Sequence, residues 1–264
     1  EVYTEVGEAE TIIQTYEGIK RALTLLGDNH SVLVNPDRSR LKGNSKINFN
    51  VKSVPPVSVP DDVGYVKITS FSGGGDAATA FADKIQKQIR SADSPSLVGW
   101  IVDLRGNTGG NMWPMLAGIS PILGEDTIGY FVDAKERRYH WEVRNGSSYN
   151  SNRLKTAVTE PYVLANPEPK VAVLLDKGVM SSGEAVAIAF VGRENTRSFG
   201  SATCGLSTAN KTYRLDNNSV LALTVAYMAD RNLKVYGTPI EPDEEVASEA
   251  VVQRAIAWLQ TVSN

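Results

Sequence analysis

The chain has 264 residues, a formal net charge of −3 at pH 7, one cysteine and two histidines. It is long enough for one large domain with a substantial core, and its acidic balance excludes the basic footprint of a nucleic-acid-binding protein. The single cysteine, Cys204, excludes an intrachain disulfide, the few cysteines and histidines predict no metal site, and no apolar run approaches the roughly 20 residues that cross a bilayer.

The first quarter of the chain predicts one helix and two strands. Apolar residues recur at steps of four and three over about Glu8–Leu26, which is typical of an amphipathic helix, and Gly27 is suited to end it. Ser31–Val34 and Gly64–Ile68 have the composition of strands. The sequence between them, residues 35–62, is polar and rich in Pro and Asn, and predicts an extended connector.

Helices and strands alternate through the rest of the chain. In order, the sequence predicts a helix at Ala77–Arg90, a strand at Leu97–Leu104, a helix at Asn111–Leu123, a hairpin of Ile128–Val132 with Arg138–Val143, a loop at Asn145–Arg153, a strand at Val171–Leu175, a helix opening within Val179–Glu184, a hairpin of Lys211–Leu215 with Val220–Ala226, and a helix at Glu244–Thr261. Such alternation indicates an α/β layer fold, and the two hairpins make the sheet mixed.

A serine opens the helix that follows the apolar strand Val171–Leu175. Ser181 is expected in the first helical turn, where backbone N–H groups are unpaired and the helix dipole is positive. That position suits a nucleophile whose reaction builds an oxyanion. Ser181 and Glu184 also fit the Ser-x-x-Glu capping box, which involves no chemistry. The pattern alone leaves both interpretations open.

A glycine-rich loop follows the strand Leu97–Leu104 and precedes a helix. Its glycines expose backbone N–H groups beside a positive helix end, which suits an anion. Neither a P-loop nor a GxGxxG motif is present, so a phosphate site is not indicated. An oxyanion hole, or a simple turn with Asp103 and Arg105 as a local ion pair, would each explain the pattern.

Short motifs occur in a defined order along the chain. They are Leu26-Gly-Asp-Asn-His30-Ser, Asp103-Leu-Arg-Gly-Asn-Thr-Gly-Gly110, Val179-Met-Ser-Ser-Gly-Glu184, Phe199-Gly-Ser-Ala-Thr-Cys-Gly-Leu-Ser-Thr-Ala-Asn210 and Tyr236-Gly-Thr-Pro-Ile-Glu-Pro-Asp243. Together they resemble the S41 family of serine peptidases, which includes the C-terminal processing (tail-specific) proteases. The resemblance covers roughly residues 26–246. It is strongest to the His-dependent branch with the nisin-resistance and interphotoreceptor retinoid-binding proteins.

The resemblance implies a fold and an activity. The fold would be a layered α/β core like that of ClpP and crotonase, with a mixed sheet, hairpins and a short N-terminal helical segment. The activity would be serine-type endopeptidase hydrolysis of a peptide or protein substrate, without metal or organic cofactor. Relatives are mostly exported or membrane-anchored, so we expect an extracytoplasmic protein. Because the chain begins at Glu1, we expect any signal peptide or anchor to lie outside this sequence.

The resemblance also assigns roles to individual residues. Ser181 matches the family's nucleophile, and Gly110 and Ser182 match the residues whose N–H groups form the oxyanion hole. Where the processing proteases carry a lysine base, this chain has Leu206. His30 is therefore the candidate general base, since a serine hydroxyl needs a neighbouring group that takes its proton.

A third group is expected to hold the imidazole in the correct tautomer. Glu241, in the last motif, is one candidate, and Asp28 is its rival. Glu184 is expected to cap its helix. His140 is expected on the surface of a polar hairpin, and Cys204 is expected to pack as a small apolar residue.

The domain organisation differs from that of the processing proteases. Too few residues separate the His30 motif from the strand at Gly64 for the PDZ domain those proteases carry there. We therefore predict an N-terminal helical segment with the candidate base, residues 1–45, and an S41-type catalytic core without a PDZ domain, residues 46–264. Substrate selection would then depend on the groove itself, the early helix or the Asn145–Arg153 loop.

Two other functions remain open from the sequence. One branch of the family binds retinoid and lipid, so the chain could be a catalytically inactive ligand-binding module of the same fold. A crotonase-like acyl-CoA enzyme would also use paired N–H groups. That enzyme has no necessary use for Ser181 and His30, and the sequence shows no obvious cluster for the CoA phosphates.

Overall fold

The computed structural model describes residues 2–45, 47, 51 and 54–261. In chain order the elements are α1 (Val2–Val6), a 3₁₀ turn (Ile13–Thr15), α2 (Tyr16–Leu26), β1 (Val32–Val34), β2 (Arg40–Lys42), β3 (Val63–Lys67), α3 (Gly75–Ala92), β4 (Gly99–Asp103), α4 (Met112–Leu123), β5 (Asp126–Asp133), β6 (Arg138–Arg144), β7 (Ser147–Asn150), β8 (Arg153–Ala157), β9 (Val171–Leu175), α5 (Ser182–Phe190), β10 (Thr196–Gly200), β11 (Thr208–Arg214), β12 (Val220–Ala229), β13 (Glu244–Glu245) and α6 (Val251–Leu259). The mixed α/β fold predicted from the sequence is confirmed.

The chain divides into two compact units. The first consists of Glu1–Asn48 with Thr208–Ala226, and the second of Phe49–Ser207 with Tyr227–Asn264. The first unit therefore combines the N-terminal segment with a hairpin from much later in the chain. The division predicted from the sequence, at residue 45, stays a prediction.

The first unit is built on the strand that follows the early helix. β1 pairs antiparallel with β2 and with β12, and Leu33 lies opposite Leu41 and Leu221. Leu33 is fully buried. As predicted, α2 ends at Gly27, which adopts a left-handed conformation with φ of 70°.

The early helix begins later than its apolar spacing predicts. α2 starts at Tyr16 rather than near Glu8. The Gln14 side-chain carbonyl accepts hydrogen bonds from the N–H groups of Glu10 and Thr11, at 2.8 and 2.9 Å. Local side-chain bonds to the backbone compete with helical hydrogen bonds, so this segment forms a turn instead.

A five-stranded parallel sheet, in the order β13-β10-β9-β4-β3, forms the centre of the second unit. Every residue of β4 and β9 is buried, as their continuous apolar sequences predict. Val102 and Val173 face a large core with α3, α4 and α5, while Ile101 and Leu174 face α6. Because the strands are parallel, the loops after β4 and β9 leave the sheet at the same edge.

Four antiparallel strands, β5 to β8, form the other sheet portion of this unit. The loop predicted at Asn145–Arg153 is wrong, since this stretch contains β7 and the start of β8. Asn145 and Gly146 both have positive φ and make a tight turn, which is a known hairpin signal. Polar strand residues are accommodated because the buried Ser148 hydroxyl donates to the Trp113 carbonyl at 3.0 Å.

The last helix is also shorter than predicted. α6 begins at Val251, and Glu244–Glu245 instead pairs in parallel with β10 as strand β13. The Glu244 carboxylate accepts hydrogen bonds from Arg254, including one of 2.9 Å, and forms an ion pair with Arg197. These contacts tie the residue to the sheet edge rather than to a helix.

The described residues lack two further features. Within residues 2–45, 47, 51 and 54–261, no cluster of His, Cys, Asp and Glu side chains has the arrangement of a metal site. In the same ranges, no helix combines the length and the apolar character that crossing a membrane requires.

Candidate active site

Ser181 has a strained backbone at the entrance to α5. It is the residue before the helix, with φ of 52° and ψ of −117°. A residue other than glycine pays on the order of 1–3 kcal/mol for such a conformation, which persists only where the surroundings impose it. The chain passes from β9 to α5 through residues 176–181, and this sharp strand-to-helix turn presents the half-buried serine at the edge of the sheet.

The Glu184 carboxylate holds this turn from inside the protein. One oxygen accepts the Ser181 N–H at 3.0 Å, and the other accepts the Thr203 hydroxyl at 2.5 Å and the Gly205 N–H at 2.8 Å. Glu184 has no exposed surface. Burial raises the pKa of Glu184 to about 7, although these hydrogen bonds act to lower it. The capping role predicted for Glu184 is confirmed.

The glycine-rich loop lies directly against the serine turn. A Cβ atom on Gly109 would lie 2.9 Å from both the Ser181 Cβ and the Ser182 nitrogen. One on Gly110 would lie 2.0 Å from the Phe71 carbonyl oxygen, and Gly110 has φ of 117°. The Ser182 hydroxyl donates to the Gly110 carbonyl at 2.7 Å. Only glycines allow this approach, so the two motifs form one site.

Two backbone N–H groups at this contact have no acceptor among the described residues. The Ser182 N–H opens α5 and has no intrahelical partner. On the glycine-rich loop, the Gly109 carbonyl accepts a hydrogen bond from the Phe71 N–H at 3.2 Å. The Asn111 N–H donates to the Phe71 carbonyl at 2.6 Å. The N–H of Gly110, between them, faces away from Phe71 because successive groups of an extended chain alternate in direction. Unpaired N–H groups on adjoining loops can stabilise an oxyanion.

The ion pair considered for the glycine-rich loop is also present. Arg105 donates two hydrogen bonds to the Asp103 carboxylate, at 2.9 and 2.8 Å, and both side chains are buried. Tyr65 donates a further bond of 2.9 Å to the same carboxylate. Burial would raise the pKa of Asp103, but the Arg105 guanidinium lowers it below its usual value. This pair anchors the start of the loop.

His30 belongs to the first unit, and its backbone is hydrogen-bonded on both sides. Its N–H donates to Asp28 Oδ1 at 2.8 Å, and its carbonyl accepts from the Asn210 side chain at 3.0 Å. The ring Nδ1 lies 2.8 Å from the Thr208 hydroxyl. Burial lowers the pKa of His30 to about 4, against the opposing charge of Asp28. The imidazole is therefore neutral at neutral pH, as a proton acceptor must be.

The candidates for orienting the imidazole occupy different surroundings. Asp28 Oδ1 accepts the N–H groups of His30 and Ser31, at 2.8 and 2.6 Å, so this carboxylate fixes the turn. Glu241 is exposed in the second unit, on the wall of a cavity of about 570 Å³, and its orienting role stays a prediction. Thr208 was missed, although it lies within a quoted motif, because no residue pattern marks a threonine as a histidine partner.

The other residues singled out by the sequence have structural surroundings. Leu206, at the place of the absent lysine, is buried. His140 lies on β6 and is half-buried rather than fully on the surface, with its Nε2 4.0 Å from the Glu142 carboxylate. The structure thus groups Ser181, Ser182 and Gly110 in the second unit, and His30 in the first.

Comparisons with known proteins give matches over most of the chain. A model of peptidase family S41 matches residues 62–246. The nisin-resistance protein of Lactococcus lactis subsp. lactis is 28% identical over 258 residues, which cover 97% of this chain and 77% of that protein. The carboxy-terminal processing protease CtpA of Bacillus subtilis is 28% identical over 222 residues, but this chain spans only 41% of its length.

A solved structure has the same fold. The structure of a lipoprotein from Streptococcus agalactiae superposes with a TM-score of 0.77 at 22% identity, covering 98% of this chain and 85% of that one. The family match includes Ser181 but not His30. Similarity to the nisin-resistance protein, in contrast, extends over nearly the whole chain.

Proposed function

Because the chain belongs to peptidase family S41, we propose that it is a serine-type endopeptidase in which Ser181 attacks the peptide carbonyl and His30 is the general base. The observation that carries this proposal is the strained Ser181 beside two unpaired N–H groups. A simple helix cap does not require positive φ at a residue other than glycine. Strain of this kind concentrates at functional sites.

The reaction is an acyl transfer in two steps. His30 takes the hydroxyl proton as Ser181 Oγ bonds to the carbonyl carbon, and the N–H groups of Gly110 and Ser182 stabilise the oxyanion. His30 then returns the proton to the leaving amine as the peptide bond breaks. Water, deprotonated by His30, releases the acyl group and restores Ser181. Every step uses groups of this chain, and we propose no cofactor.

The neutral state of His30 supports its role as the base. A buried imidazole with a pKa of about 4 is almost fully deprotonated at pH 7. Its basicity is lower than that of a base with a pKa near 7, which general-base catalysis favours. We therefore expect a modest turnover, with activity that persists to mildly acidic pH.

Peptides are the proposed substrates, and an extracytoplasmic location is the proposed setting. One relative is a nisin-resistance protein and another a carboxy-terminal processing protease. Nisin and peptides with free C-terminal tails are therefore the first substrates to test. Since the sequence predicts a catalytic core without a PDZ domain, the surface around Ser181 is the proposed site of selection.

The test is cleavage of nisin and of a peptide library, followed by mass spectrometry. We expect wild-type protein to cleave, and Ser181→Ala and His30→Ala to lose cleavage by at least about a hundredfold. Ser91→Ala and His140→Ala are matched controls, one on an exposed helix face and one on β6, and should cleave like wild type. Equal cleavage by all five proteins would overturn the proposal. No cleavage by any, with a co-purified apolar ligand, would favour the inactive ligand-binding module.

A further inference from the structure

The ring of His30 has one hydrogen-bonded side-chain partner among the described residues, and it is not a carboxylate. Thr208 Oγ1 lies 2.8 Å from His30 Nδ1. Thr208 is the first residue of β11 and is only 8% exposed. Among the described residues its hydroxyl makes no other hydrogen bond, so the imidazole is its one hydrogen-bond partner there.

Hydrogen bonds from its surroundings hold the backbone of His30, and Thr208 supplies the hydrogen bond to its ring. Asp28 and Asn210 bind the N–H and the carbonyl of His30. Thr224 reinforces the same turn, because its N–H donates to Ser31 Oγ and its hydroxyl donates to Asp28, both at 3.0 Å. The Cα position is therefore set from several sides. Rotation about the side-chain bonds is restrained through Nδ1.

The charged group that acts on the imidazole is Asp28, and it does so at a distance. It raises the pKa of His30, but burial lowers that pKa by more. Asp28 Oδ1 accepts N–H groups of the turn, and the hydrogen bond of the ring Nδ1 goes to Thr208 instead of this carboxylate. A hydroxyl carries no charge, so it can orient the ring without stabilising the imidazolium as an aspartate or glutamate would. It can accept from Nδ1–H or donate to an unprotonated Nδ1, so the tautomer has to be tested separately.

We infer that Thr208 is a positioning residue for His30: its hydroxyl accepts a hydrogen bond from Nδ1–H and so leaves Nε2 unprotonated to receive the Ser181 proton. This inference rests on the proposed function, in which His30 is the base. Thr208 thus takes the role of the third group, which orients the imidazole and for which the sequence suggested Glu241 or Asp28. It acts through His30 and does not touch the substrate.

The first test reads the tautomer directly and does not depend on activity. Nitrogen-15 NMR of the imidazoles, assigned with His30→Ala and His140→Ala, should show His30 protonated at Nδ1 in wild type at pH 7.5. In Thr208→Val, which keeps the side-chain shape, we expect the population to move toward the Nε2-protonated form that free imidazole prefers. An Nε2-protonated His30 in wild type, or an unchanged tautomer in Thr208→Val, would overturn the inference.

The second test measures the rate at which a fluorophosphonate labels Ser181. In this reaction Ser181 Oγ forms the O–P bond, fluoride leaves, and the hydroxyl proton goes to His30. Loss of one neutral hydrogen bond predicts about a tenfold slower rate in Thr208→Val. Thr208→Ser restores the hydroxyl and should recover most of that loss. Thr212→Val makes the same change at an exposed position of β11 and should label like wild type.

The outcomes separate the two proposals. If labelling requires His30 but Thr208→Val and wild type label equally fast, the inference fails and the proposed function stands. If labelling is the same in wild type and His30→Ala, the proposed function fails, and the positioning role fails with it. Should Thr208→Val not fold, two measurements remain: the labelling rate of Thr208→Ser and the tautomer of wild-type His30. A wild-type-like rate together with a proton on Nδ1 supports the inference. A proton on Nε2 overturns it.

Discussion

Glu184→Gln is the most informative single change in the serine turn. The carboxylate accepts three hydrogen bonds on two oxygens, from Ser181, Thr203 and Gly205. Glutamine offers one oxygen and one NH₂ group. If the glutamine oxygen keeps the hydrogen bonds from Thr203 and Gly205, its NH₂ group faces the Ser181 N–H. Both of these groups are donors, so no hydrogen bond forms between them. The substitution therefore removes the bond that holds Ser181 while changing almost no volume.

The size of the effect follows from two comparable quantities. A hydrogen bond to a charged group contributes about 1.5–3 kcal/mol, and the strain at Ser181 is on the order of 1–3 kcal/mol. Without the bond, Ser181 can relax from its positive φ at little net cost. We expect fluorophosphonate labelling of Ser181 to slow by roughly ten- to a hundredfold, since about 1.4 kcal/mol is tenfold in rate.

The same substitution should change how stability depends on pH. Burial raises the pKa of Glu184 from 4.5 to about 7. Between these values the folded protein holds a proton that the unfolded chain has released. The contribution of Glu184 to the free energy of unfolding is therefore fully present below pH 4.5 and is lost as the pH rises through about 7. The full shift corresponds to roughly 3 kcal/mol.

The assay is urea unfolding of wild type and Glu184→Gln at several pH values between 4 and 8. The difference between the two proteins isolates the contribution of Glu184, because the His30 contribution, which has the opposite slope, is common to both. Glu249→Gln, at an exposed position, is the matched control and should unfold like wild type. If Glu184→Gln labels at the wild-type rate and the difference in stability is flat with pH, the reasoning about the turn is refuted.

Three further predictions concern other parts of the two units. Gly110→Ala should abolish labelling and lower the free energy of unfolding, since its Cβ would lie 2.0 Å from a backbone oxygen, whereas Gly74→Ala, where a Cβ meets nothing within 4 Å, should be tolerated in both assays. Arg105→Met leaves a buried carboxylate without its partner and should cost about 3–5 kcal/mol in urea unfolding. In contrast, Arg137→Met, at an exposed ion pair, should change little. Relative to His30→Ala, the wild type should lose stability as the pH falls from 6.5 through about 4, because the folded state resists protonation of the buried imidazole.

The central sheet and the serine motif could be predicted because their signals are local. The apolar runs at β4 and β9 admit few alternatives to strands buried on both faces. The adjacent glycines Gly109 and Gly110 indicate a close approach of two backbone segments. The Ser-x-x-Glu pattern that begins at Ser181 indicates the start of a helix. Each of these features lies within about ten residues, so the sequence alone pointed to the elements of the candidate site in the second unit.

Features that depend on distant residues could not be predicted in the same way. The contact between His30 and Thr208 joins positions 178 residues apart. Threonine occurs in strands for its shape, so nothing distinguished Thr208 from its neighbours. The strands β7 and β8 were missed for a different reason, because the polar composition of residues 145–153 outweighed the Asn-Gly turn signal at Asn145.

The most direct test of the account is a crystal structure of the protein after reaction with a fluorophosphonate. The account predicts a bond between Ser181 Oγ and phosphorus. It also predicts that the phosphonyl oxygen lies about 2.7–3.1 Å from the backbone nitrogens of Gly110 and Ser182, with the His30 ring adjacent. An adduct on another residue, or a phosphonyl oxygen turned into solvent away from both N–H groups, would contradict it.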